Sequence, residues 1–123
     1  DWLPNIYQKN LINEIIKKSS SKTTILFSHQ LFWKDLFPND VSPNGNQFLK
    51  KLDPLPINWI DTNGKKLIVI SGDYGAFGAN TFCKNYGNIT FIANGIGGLE
   101  TDTIIKIFET KNGLVFKEIK LNQ

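Results

Sequence analysis

Arginine and methionine are both absent from this chain, and cysteine and histidine occur once each. Without arginine, all fourteen basic residues are lysine, so no planar guanidinium fork is present for bidentate recognition of phosphate or guanine. The net charge is only +3, and lysines fall in scattered pairs (Lys17-Lys18, Lys50-Lys51, Lys65-Lys66) rather than in a basic stripe. That pattern argues against a nucleic-acid partner. A single cysteine, Cys83, excludes an internal disulfide and any cysteine-rich zinc cage, and the default reading of it is a small core residue. No apolar run approaches the roughly eighteen residues that a membrane-spanning helix needs, so no membrane span is expected. With no methionine and Asp1-Trp2-Leu3-Pro4 at its head, the chain reads as a piece of a longer protein or a processed product. Composition sets no compartment.

What is present suits a globular domain. Hydrophobic residues make up 41% of the 123 positions and charged residues 20%, enough apolar content for one core and too little length for two. Residues 1–123 are therefore read as a single domain. Asn5 to Lys18 is expected to be a helix: Ile6, Leu11, Ile12, Ile15 and Ile16 form an apolar stripe and Asn5 can cap it. Thr23 to Ser28 and Lys66 to Ser71 are continuous apolar runs of strand length without polar alternation. Such runs belong to adjacent interior strands covered on both faces. Between them lie a long loop, His29 to Asn46, rich in aromatics, and a short helix expected over Asn46 to Leu52 before the break at Asp53-Pro54-Leu55-Pro56.

Asn88 to Ala93 reads as a third strand, running into Asn94-Gly95-Ile96-Gly97-Gly98. The glycine spacing there lacks a dinucleotide fingerprint, because Glu100 occupies the third glycine position. Thr103 to Glu109 and Leu114 to Leu121 flank Lys111-Asn112-Gly113, a hairpin signal. The fold class that results is α/β: a layered mixed sheet with a C-terminal antiparallel hairpin.

The chemistry concentrates at two strand ends. Thr23–Ser28 delivers His29, the only histidine, and Lys66–Ser71 delivers Gly72-Asp73. Open α/β sheets build their sites at such C-terminal strand ends. Trp33, Tyr74 and Asn94 follow the same strands and are the candidates for contact with a substrate. The plainer structural readings are that the loop aromatics pack onto the sheet, that Gly72-Asp73 makes a turn, and that Asn94-Gly95-Ile96-Gly97-Gly98 is a Gly-rich turn. Ser28 neighbours His29 along a strand, so the two side chains point to opposite faces and form no nucleophile–base pair.

In this order of elements the chain resembles the C-terminal half of a calcineurin-like metallophosphoesterase. Ile25-Leu26-Phe27-Ser28-His29-Gln30-Leu31-Phe32-Trp33 stands where that family has a strand ending in a metal-binding His. Ser71-Gly72-Asp73-Tyr74-Gly75 stands at its Gly-His-x-His motif, and Ile92-Ala93-Asn94-Gly95-Ile96-Gly97-Gly98 at its Gly-rich turn. The resemblance implies half of a β-sandwich that hydrolyses a phosphate ester with metal-activated water. It also implies His29 and Asp73 as metal ligands, a divalent ion (Mn, Fe or Zn) as cofactor, and a phosphate-ester substrate or a missing N-terminal half as partner. Asp73 replaces the first motif histidine and can still ligate through oxygen; Gly75 replaces the second and cannot. The isolated chain is accordingly expected to be inactive, with an intact parent enzyme and a degenerate homologue both open. The alternative reading is a non-catalytic α/β binding domain that uses the aromatic loop 32–37 for a sugar or a peptide.

Overall fold

A computed structural model describes residues 4–33, 36–37, 57–72, 74, 81–95 and 102–121. The helix forms where the apolar spacing places it, as α1 (Ile6–Lys18). Asn5 closes a capping box: its side chain accepts from the Gln8 amide while the Gln8 side chain accepts from the Asn5 amide. At the other end the Lys65 ammonium reaches the carbonyls of Ile16 (2.7 Å) and Ser19 (2.6 Å), which would otherwise be unpaired in the last turn.

Four strands form one sheet: β1 (Thr23–Ser28), β2 (Lys66–Ser71), β3 (Phe82–Tyr86) and β4 (Ile89–Ala93), in the order β1-β2-β4-β3. β1, β2 and β4 run parallel, and β3 is antiparallel to β4. Two further strands, β5 (Thr103–Thr110) and β6 (Gly113–Lys120), make a separate antiparallel hairpin. The fold is thus α/β with a mixed sheet and an antiparallel hairpin. Gly113 sits at φ +113° in the hairpin turn, and Asn63-Gly64, at φ +50° and +72°, turn the chain into β2. Both turns use the positive φ that a tight reversal needs.

The core lies between α1 and one face of the sheet. Ile16 of α1 packs with Leu67, Val69, Phe82 and Phe91, and Trp33, with no exposed surface, fills the centre. Trp33 stacks 5.1 Å from Phe82 and 5.0 Å from Phe91, ring centroid to centroid. The opposite face is apolar as well, carrying Ile25, Phe27, Ile68, Ile70 and Ile92, which is why β1 and β2 show no polar alternation.

Several expectations change here. β1 and β2 are adjacent, but of these two only β2 is interior; among the described residues β1 is an end strand, and Phe27 is 67% exposed. The apolar stripe of α1 is wider than its buried face, because the core needs only Ile16 and part of Ile12, and it leaves Ile6, Leu11 and Ile15 exposed. Cys83 is exposed, not a core residue: it lies on the other end strand, β3, where only Phe82 turns into the core. β3 itself was not expected. The helix read over Asn46 to Leu52 lies outside the described residues, as do Gly75 and residues 96–98. Among the described residues no helix is long and apolar enough to cross a membrane.

Candidate functional site at the C-terminal edge of the sheet

Three parallel strands end in step. Ser28 lies opposite Ser71, and Ser71 opposite Ala93. The ladder then continues one residue further, with the Gly72 amide donating to the Ser28 carbonyl (3.2 Å) and the Asn94 amide to the Ser71 carbonyl (2.9 Å). His29, Gly72 and Asn94 therefore leave the same margin of the sheet. Asp73 follows Gly72 directly but is outside the described residues. Gly95, the start of the Gly-rich turn, leaves β4 at this margin too.

Each residue singled out in the sequence has a definite setting. His29 is exposed, at the end of the outermost parallel strand, and lines an open groove of about 280 Å³ together with Leu11, Leu26 and Phe27. Trp33 is buried, and its indole Nε1–H donates to the Ser71 hydroxyl at 2.9 Å. Tyr74 is buried with its ring 6.0 Å from Phe82. Asn94 is half-buried, and its side-chain amide donates to the hydroxyls of both Thr81 and Thr103. That places Asn94 between the start of β3 and the start of β5. Trp33 of the aromatic loop is fully buried, while Phe32 is largely buried but lines the groove beside His29 and Phe37 is half-buried.

The unforeseen part of this margin is a pair of serines. Ser28 and Ser71 approach at 2.8 Å between hydroxyl oxygens, and Ser28 also donates to the Gln30 carbonyl at 3.0 Å. These contacts hold the turn from Ser28 to Trp33 that carries His29. Only the facing positions of two serines at equivalent strand ends hinted at them in the sequence.

The donor set for a metal is small. Among the described residues no group of three or more His, Cys, Asp or Glu side chains comes together. His29 alone, with Asp73 two residues beyond the end of β2, does not supply the ligands of a two-metal centre. No family model matches the chain, and no curated protein or solved structure matches it either.

Proposed function

We propose that this chain carries one part of a metal-dependent phosphoesterase site, contributed by His29 and Asp73. The observation that supports the reading is the common ending of β1, β2 and β4, which sets His29, Gly72 and Asn94 along one margin of the sheet. Divalent ions at such a site would polarise a phosphoryl oxygen and lower the pKa of a bound water. The residues of this chain have narrower duties. His29 presents an imidazole to solvent from a turn braced by Ser28 and Gln30, Gly72 leaves room for a close approach, and Asp73 brings a carboxylate oxygen. No catalytic step follows from these groups alone, and a working site needs further ligands beside them.

The test uses the chain as it stands. Sub-stoichiometric Mn²⁺ added to the ¹⁵N-labelled protein is expected to broaden the amide signals of His29, Gly72 and Asp73 selectively, and His29→Ala to remove that effect. Aryl phosphate turnover is expected to be absent. Uniform or missing broadening would overturn the metal reading, and robust metal-dependent turnover would overturn the claim that the site is partial.

A further inference from the structure

Among the described residues no strand pairs with the outer edge of β1. Edge strands are normally blunted by lysine, proline, a bulge or shortness. Over its six residues β1 reads Thr-Thr-Ile-Leu-Phe-Ser, with none of the first three. Its backbone orientation is fixed by two bonds: the Lys66 amide donates to the Lys22 carbonyl, and the Gly72 amide to the Ser28 carbonyl. Even-numbered residues of β1 thus turn their backbone groups toward β2. Thr23, Ile25 and Phe27 turn theirs outward, where no described strand meets them.

Beside this edge runs an exposed apolar stripe of α1. Tyr7 (81% exposed), Leu11 (57%) and Ile15 (53%) are spaced four apart and share one side of the helix. Leu11 lines the same groove as Leu26 and Phe27, so stripe and edge form one continuous surface.

We infer that this surface is where a second copy of the chain docks, with the two β1 strands pairing antiparallel about a two-fold axis through Leu26. The strand is self-complementary in this register. A two-fold axis perpendicular to a sheet keeps each side chain on its face, and directly opposed residues share a face, so Ile25 cannot oppose Leu26 but can oppose Phe27. With Leu26 on the axis, Ile25 meets Phe27 of the second copy twice over. Both residues turn their backbone groups outward, so the pair also exchanges hydrogen bonds.

The same axis suits α1. Leu11, which shares the groove with Leu26, meets its own mate, and Ile15 meets Tyr7 of the second copy. Among the described residues of α1 the charged ones flanking the stripe are Glu14 and Lys18, which pair with each other at 3.3 Å, and this register sets Glu14 beside Gln8 and Lys18 beside Pro4. No like charges are opposed. The four exposed side chains offer on the order of 500 Å² per copy, taking 150–250 Å² for a whole aromatic side chain. Adding the strand edge brings this toward the roughly 800 Å² per partner of a standard interface.

The experiment follows size and amide exchange together, by sedimentation and by hydrogen–deuterium exchange, over a roughly hundredfold range of concentration that brackets a micromolar Kd. A dimer is expected, with the Ile25 and Phe27 amides slowing as it forms while those of Thr24 and Leu26, already turned to β2, do not change. Phe27→Lys and Leu11→Lys replace exposed side chains and should each weaken association about tenfold or more without lowering the melting temperature at concentrations where the protein is monomeric. A dimer whose Ile25 and Phe27 amides stay fast overturns the proposal, and so does one that survives Phe27→Lys. A monomer at every concentration also overturns it. His29 lines the same groove and this register sets it opposite Thr23 of the second copy, so the measurements are made in metal-free buffer, where their outcome does not depend on whether it binds a metal.

Discussion

Ser28 and Ser71 end neighbouring parallel strands with their hydroxyl oxygens 2.8 Å apart, and the protons between them have only one consistent arrangement. Trp33 Nε1 can only donate, so Ser71 accepts from it. Ser28 spends its single proton on the Gln30 carbonyl, which can only accept. Ser71 must therefore donate to Ser28. The chain runs in one direction, from the buried indole, through two hydroxyls, to the loop that carries His29.

This direction ranks two substitutions. Ser71→Ala strands the indole N–H of Trp33, which has no exposed surface, and is expected to cost about 1–3 kcal/mol, the penalty of a buried donor left unmade. Ser28→Ala removes an acceptor from Ser71, but at a half-buried site, and is expected to cost about 0.5–1.5 kcal/mol. Urea denaturation of both variants, followed by tryptophan fluorescence, measures the difference. Equal costs, or the reverse order, would contradict the arrangement.

Lys65 gives a second expectation. Its ammonium caps α1 from across the fold by bonding the carbonyls of Ile16 and Ser19. Lys65→Met keeps the length and apolar stem but removes the donors, and is expected to lower stability by about 1 kcal/mol, since the site is partly exposed. Amide exchange should accelerate in the last turn of α1, at Lys17 to Ser19, more than in β2. Unchanged protection there would show that water serves those carbonyls equally well.

The elements that were legible in the sequence are those whose own pattern decides them. α1 has a capping pair and a helical apolar period; β2 and β4 are covered on both faces; the hairpin has Asn-Gly at its turn. What failed depends on neighbours. Nothing within Thr23–Ser28 says whether another strand follows, and its apolar run looks the same at an edge as in a sheet centre. β3 was missed because four of the five residues in Phe-Cys-Lys-Asn-Tyr are exposed, leaving no apolar run, although Gly87-Asn88 ahead of Ile89 is a hairpin signal. Trp33 suited the core as its plainer reading and a substrate rim as its sharper one; its partner Ser71 lies 38 positions away and could not be paired with it by spacing. Of the candidate site, the shared margin of His29, Gly72 and Asn94 was legible, because parallel strands end on one side. The serine pair that braces it was not.

Asn94 leads to the last expectation, because it joins parts of the fold that share no sheet. Its side-chain amide donates to Thr81 and Thr103, and these two hydroxyls are themselves 2.9 Å apart. Thr103 is buried although it is polar, which is tolerable only while its hydroxyl is paired. Thr103→Val keeps the shape and β-propensity of the residue while removing the hydroxyl, so it tests the polar contact without opening a cavity. The hairpin has its own turn and its own ladder and should remain paired; what weakens is its tie to β4. Exchange is therefore expected to quicken at Asn94 and Gly95 and at the start of β5, while the amides near Gly113 keep their rates. Asn94→Ala should do the same, and the double variant should add little, because residues sharing one bond are not independent. Additive effects would mean that Asn94 and Thr103 act separately. If the tie is what the contacts indicate, Asn94 anchors Gly95 at the β4 end of the margin, two strands away from His29, and its loss should leave the Mn²⁺ broadening at His29 intact.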